Sequence, residues 1–359
     1  MRPIHTNLPA PTSGMLLAKR PTGIIMAFVV LLLANIAMSV PKLTEVIIAA
    51  VNAVRSGEAF TAADYVGFDR EGGVLAVFSF ALATGFVWFW MAVKERRRFA
   101  TIGFTSPREG LRLAGRGWLI GAAMMAVCVL VPVITGQAQM AWASPDASGW
   151  GFIAIMLIGF VVQGSTEEIL TRGYLTQAVA RRWGLVAAVI AQAAFFALMH
   201  GMNPGMGPLP VINLALFAVF GSFMSLSEGG LWGICAMHGA WNWAQGNLFG
   251  VAVSGQQVSD SFFTFTANPG SADLITGGAF GIEGSLVCTL VYAVGIAIFW
   301  NAWKKRRSAE AAVTTAAAQP APVPADAGAT ATATATATTE AATTEAATPT
   351  AEGAVSPTA

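Results

Sequence analysis

Long apolar runs, separated by short basic, acidic or glycine-rich breaks, dominate the chain. Eight of them approach or reach the roughly 20 residues a helix needs to cross the hydrocarbon of a bilayer. They are 22–40, 73–93, 117–136, 150–170, 184–200, 209–226, 230–249 and 280–303. The pattern predicts an all-α fold: a polytopic membrane helix bundle of about eight transmembrane helices. The first run is not read as a cleaved signal peptide, because no convincing small-residue cleavage pattern follows it and further spans come after. Two stretches outside the runs have helical spacing. One, at 43–54, predicts a short interfacial helix. The other, 106–117, starts with Ser106 and Pro107 and repeats Arg108, Arg112 and Arg116 every four residues. It reads equally as a headgroup-binding helix or a solvated loop.

Loop charge adds orientation. Lys19 and Arg20 precede the first run, and Lys94, Arg96, Arg97 and Arg98 follow the second. Arg108, Arg112 and Arg116 precede the third, Arg181 and Arg182 follow the fourth, and Lys304, Lys305, Arg306 and Arg307 follow the eighth. With eight spans all these clusters fall on one side, while Glu45, Glu58, Asp64, Asp69, Asp260 and Asp273 fall on the other. The positive-inside rule then puts both termini in the cytoplasm of a multi-pass cell-membrane protein. Glu228, between two spans on the basic side, reads as solvated.

The chain divides into a cytoplasmic segment at 1–21, a membrane domain at 22–303 and a tail at 304–359. From Ser308 the tail is Ala, Thr, Pro and a few Glu, without Leu, Ile or an aromatic residue. It cannot bury a core and predicts disorder. Composition agrees with a membrane setting: 55% of the 359 residues are hydrophobic and only 11% charged, against about a quarter charged in soluble domains. No basic domain suggests nucleic acid as a partner; the bilayer is the expected one. Cys128, Cys235 and Cys288 all lie in apolar runs without CxxC spacing, so a thiolate-bound metal is not expected. Gly117 and Gly121 form a small-residue pair suited to helix packing, within one chain or between chains.

The candidate chemistry sits inside the apolar runs, where ionisable groups cost about 2.5–3.5 kcal/mol each on insertion scales. The fourth run ends with Glu167, Glu168 and Arg172; the fifth with Phe196 and His200; the seventh contains His238 and Asn242. Residues four apart share a helix face, so Glu168 pairs with Arg172, Phe196 walls His200, and His238 and Asn242 face one cavity. Glu167 lies about 100° round the helix from Glu168 and is free to point elsewhere. Glu167 is suited to take a proton from water, with His and Asn donors stabilising the resulting oxyanion. An alternative is a zinc ion held by Glu167, His200 and His238, though no HExxH motif is present. If every helix were straight and fully spanning, these groups would not meet in depth. A fourth helix continuing to about residue 180 removes the conflict. Glu283, near the outer end of the last run, has no functional reading.

Taken together, Glu-Glu-x-x-x-Arg, Phe-x-x-x-His and His-x-x-x-Asn on successive spans resemble the CAAX prenyl protease and bacteriocin-processing (Abi) family of intramembrane peptidases. The likeness covers about 150–250 and matches every motif position. It implies an eight-helix membrane fold and a glutamate-activated water, with both histidines and the asparagine binding the oxyanion. It also implies a membrane-associated protein or peptide substrate, lipidated in some branches, and no required cofactor, zinc being a minor alternative. Two other functions compete. One is a non-catalytic adaptor or bacteriocin-immunity protein; the other is a transporter, for which no internal repeat is evident.

Overall fold

The computed structural model describes residues 5–61, 68–70, 72–104 and 106–318. Residues Met1–Ala311 form one compact unit; a second unit, Ala312–Ala359, is described only to residue 318. The elements are α1 (Ile24–Ser56), α2 (Gly72–Trp90), α3 (Pro107–Ile134), β1 (Ala138–Trp142), α4 (Ala147–Glu168) and α5 (Thr176–Met199). After these come α6 (Pro208–Glu228), α7 (Trp232–Trp243), β2 (Phe263–Ala267), α8 (Asp273–Thr276) and α9 (Leu286–Ala318). The chain is thus a helical, multi-pass membrane protein, as its apolar runs predict.

Among the described residues, six helical stretches rather than eight are long and apolar enough to cross a bilayer: Ile24–Ser56, Gly72–Glu95, Pro107–Ile134, Ala147–Met199, Pro208–Glu228 and Leu286–Thr315. Two features account for the difference. First, the fourth and fifth runs are counted together: α4 passes through a π-helical segment, Ile169–Leu175, into α5, and the fifth run begins as a separate helix at the kink at Gly184. The direction changes at Gly184, where φ 81° and ψ 174° are open to glycine and strained for other residues. The fourth helix therefore does continue past residue 180. Second, α7 has only 12 residues before a π-helical turn, Ala244–Leu248. Nearly all of it is buried, so its apolar residues serve the bundle core rather than lipid. By contrast, α1 exposes Ile25, Leu32, Ile36, Leu43 and Ile47, as a lipid-facing helix should.

Both predicted interfacial helices turn out to be parts of spans. Residues 43–54 continue α1 without a break despite Pro41, and residues 107–117 are the first turns of α3, with Pro107 at its start. Helix α9 likewise runs on through 304–318, where the sequence predicts the tail to have begun; residues 319–359 lie outside the described residues. The pair Gly117 and Gly121 packs within the chain. A Cβ at either would collide with the backbone of α7 at Gly233 or Met237, so their absence lets α3 lie directly on α7.

The basic loops gather at one end of the bundle. The His5 amide donates to the Arg181 carbonyl, and the Lys19 amide to that of Glu95. Gln177 donates to the carbonyls of Pro11 and Thr101, and Arg306 donates to that of Ser227. Glu228, expected to be solvated, instead has a side chain 2% exposed and paired to Arg116 at 2.6 Å. The other end carries the two-stranded antiparallel ribbon, with Met140 opposite Phe265. The alternating FTFT of β2 is a strand signal masked by the surrounding apolar runs. There Arg70 bridges Asp260 at 2.6 Å and Asp146 at 3.0 Å, and the hydrogen bonds it donates to Asp260 first and then to Asp146 raise its guanidinium above the usual range. Asp146 caps α4, accepting from the Gly149 amide. That bond first, then the Ser148 hydroxyl and Arg70, pull its carboxyl down to about 2.

Candidate active site

Helices α4 and α7 cross at two glycines. A Cβ on Gly164 would press on the Gly239 amide, and one on Gly239 on the α4 backbone at Val161. This close approach puts His238 against the end of α4, beside Glu167 and Glu168. The imidazole bridges the two carboxylates: Nδ1 lies 2.9 Å from Glu168 Oε1, and Nε2 lies 3.6 Å from Glu167 Oε2. Glu168 is fully buried and paired to Arg172 at 3.1 Å. An ionised carboxylate only accepts, so Nδ1 carries the proton and Nε2 is the atom turned to Glu167.

Glu168 and Arg172 share a face as the four-residue spacing predicts. Arg172 is 1% exposed. It donates to Thr171 Oγ1 at 2.9 Å and the Phe217 carbonyl at 3.3 Å. Its guanidinium lies 4.6 Å from the Phe196 ring centroid and 5.3 Å from that of Phe217, a cation–π arrangement on both rings. The π-helical segment starts directly after Glu168. Such bulges are frequent at functional sites, and this one has no counterpart in the sequence pattern.

Glu167 points the other way, into a cavity of about 380 Å³. His200, His238, Asn242 and Phe196 line the same cavity. All four sequence-derived catalytic candidates therefore share one space, with Phe196 as wall, while Glu168 and Arg172 sit behind it. Glu167 Oε1 accepts from Gln163 at 2.6 Å, and Gln163 Oε1 accepts from the Asn242 amide at 2.7 Å. Glu167 Oε2 is buried with no hydrogen-bond partner among the described residues. His200 caps the end of α5, and its Nδ1 lies 2.8 Å from the Phe196 carbonyl, to which it donates.

Sequence reading overlooked Gln163, although it sits four residues before Glu167 and links that carboxylate to Asn242. It also missed Glu283. That carboxylate is 7% exposed. It accepts from Trp241 Nε1 at 3.1 Å, Gln245 Nε2 at 3.3 Å, and the Ser254 amide and hydroxyl at 2.7 and 2.8 Å. It ties the loop before α9 to α7 and forms part of the cavity wall. Trp241 and Trp243 are packing residues with bonded indoles.

Both imidazoles are held through Nδ1, leaving Nε2, an orientation that metal ligation also uses. Among the described residues, however, no three His, Cys, Asp or Glu side chains are grouped to hold a metal ion.

Residues 149–244 match the family described as type II CAAX prenyl endopeptidase Rce1-like. No curated protein and no solved structure matches the chain. The matched stretch contains Glu167, Glu168, Arg172, Phe196, His200, His238 and Asn242, together with Gln163. The matched stretch spans nearly all of α4 through α7, which carry these residues, and it resembles an Rce1-like domain of the CAAX prenyl protease family.

Proposed function

We propose that the protein is an intramembrane endopeptidase that hydrolyses a membrane-associated protein or peptide, with Glu167 as general base. One observation carries the reading: a buried carboxylate oxygen, Glu167 Oε2, faces a cavity with His238 beside it and has no hydrogen-bond donor among the described residues. A saturated carboxylate would be structural; this one is positioned to accept a proton from a water molecule. The hydroxide formed attacks the substrate carbonyl, and the tetrahedral oxyanion is stabilised by Asn242, His200 and His238. Glu167 then returns the proton to the leaving amine. Both imidazoles donate elsewhere through Nδ1, so each meets the oxyanion through Nε2 and donates only when protonated there. Asn242 is the donor that needs no such protonation. Gln163 fixes Glu167 and Asn242 relative to each other. Glu168 and Arg172 hold His238 and the helix behind the site.

The reaction as proposed uses no cofactor, and activity is expected to survive exhaustive chelation. Loss on chelation and recovery with zinc would favour the alternative in which Glu167, His200 and His238 hold the ion. Both termini are proposed to be cytoplasmic, from the basic end of the bundle. The test is to profile new protein termini in membranes carrying wild type, Glu167→Ala or His200→Ala. Termini present only with wild type and lost in both variants support the peptidase. Identical profiles from three inserted, folded proteins would move the reading to a non-catalytic adaptor.

A further inference from the structure

We infer that the site takes its substrate from the extracytoplasmic face of the membrane, as a segment of a secreted or membrane-anchored polypeptide, and not from the cytosol. This rests on the peptidase reading above and adds a side and a substrate class to it.

The cavity extends from Glu167 toward one end of the bundle. Away from Glu167 its wall is built by Phe68, Asn203, Ser254 and Gln256. These residues belong to the ribbon end. Asn203 donates to the Ser254 carbonyl at 2.8 Å, and the Phe68 amide donates to the Gln257 carbonyl. In the same loops Arg70 bonds Asp260. No residue of the basic loops lines the cavity, among the described residues. On that side the bundle is closed by the Glu168–Arg172 pair, with the guanidinium against the Phe196 and Phe217 rings. The cavity that Arg172 lines behind the pair, with Thr176, Ser222 and Leu226, holds only about 10 Å³.

Charge assigns the two ends to compartments. Short loops rich in Lys and Arg stay on the cytoplasmic side. The ribbon end has, among the described residues, only Lys42, Arg55 and Arg70, and two of these are paired: Lys42 with Glu45 at 2.9 Å and Arg70 with two aspartates. The end that the cavity reaches is therefore the extracytoplasmic one. The lining also limits the ligand. It contains Glu167 and Glu283, and its one cation among the described residues is Lys42, already engaged by Glu45. No second cation stands ready for an acidic segment or a free C-terminal carboxylate. Phe80, Phe195, Met199 and Leu214 offer apolar surface to an extended, uncharged chain.

The test joins two readouts in intact cells. Single cysteines are placed at Gln256→Cys in the cavity wall, at Met202→Cys on the exposed turn after His200, and at Arg108→Cys on the basic end. The native cysteines are buried and should stay silent. A membrane-impermeant maleimide is expected to label positions 256 and 202 from outside, and 108 only after permeabilisation. Met202 is 96% exposed, so that variant should fold even if the other does not. The opposite labelling overturns the inference. In the second readout, each new terminus that depends on Glu167 is mapped to one face of its parent protein. Extracytoplasmic positions support the inference. Cytoplasmic positions overturn it and leave the peptidase standing. An absence of Glu167-dependent termini removes the peptidase reading, and the inference with it.

Discussion

Two polar clusters are buried in this bundle, and they differ in how completely they are satisfied. At the basic end, Glu95 is fully buried, and both its oxygens are occupied. Oε1 accepts from Thr22 and from Tyr174 at 3.2 Å, and Oε2 from Arg97 at 2.6 Å. Arg97 reaches on to Gln177 at 2.7 Å and Thr101 at 3.1 Å, leaving only its Nη2 without a bond. It does not line the cavity that Glu167 faces. In the other cluster Glu167 keeps one oxygen bare and turned to a cavity. The residue types are alike: carboxylate, arginine, amide. Glu168 also keeps one buried oxygen unbonded but lines no part of that cavity, so what separates structure from chemistry is spare acceptor capacity that faces space for a ligand.

The comparison breaks if either cluster behaves like the other. The largest effect is expected from Glu167→Gln, which keeps the shape but removes the base. Cleavage should fall by about 10²–10⁴-fold, the usual weight of general-base catalysis, with no loss of thermal stability. Cleavage retained in that variant would end the assignment. Next is Arg97→Met, which strands Glu95 as an uncompensated buried charge. Losing one partner of such a pair costs about 3–5 kcal/mol, read as a lower Tm in detergent or lipid, while activity per folded molecule persists. Arg172→Met should destabilise by a similar amount, for Glu168 is left in the same position. It should also reduce activity, because His238 loses its fixed support; an unchanged kcat would separate the pair from the site. Gln163→Ala leaves every catalytic group present but loosens Glu167 and Asn242. A fall in kcat of up to about 10²-fold, at similar stability, is expected from misplacement alone.

The smallest effect lies at the ribbon end. The Asp146 carboxyl is depressed to about 2 from 3.8 in the folded protein. Its contribution is therefore fully present above about pH 4 and is lost as pH falls through 2. Asp146→Asn should lower stability modestly at neutral pH and flatten that acid limb of an unfolding profile, the difference from wild type vanishing as pH falls through 2.

Much of this was legible in the sequence, because the signals are local. Apolar runs mark the helices, and the four-residue spacings bring Glu168 to Arg172 and put His238 and Asn242 on one cavity. The offset of Glu167 from Glu168 separates the cavity-facing carboxylate from the paired one. What stayed hidden depends on tertiary contact. The apolarity of α7 reads as a span because hydropathy does not separate burial in protein from burial in lipid. His238 touching both carboxylates follows from the Gly164–Gly239 crossing, which no single-helix pattern encodes. The buried roles of Glu95, Glu228 and Glu283 also escaped, since each is a charge near the end of an apolar run, where solvation is the ordinary expectation. Gln163 is different: it lay within reach of the four-residue rule and would have been found by applying that rule to Glu167.

The most direct test profiles new termini in membranes carrying wild type, Glu167→Gln or Glu95→Gln, each normalised to inserted, folded protein. The account predicts that wild-type termini vanish with Glu167→Gln and persist with Glu95→Gln. Termini that survive Glu167→Gln, or that disappear equally in both variants at equal folded amounts, would contradict it.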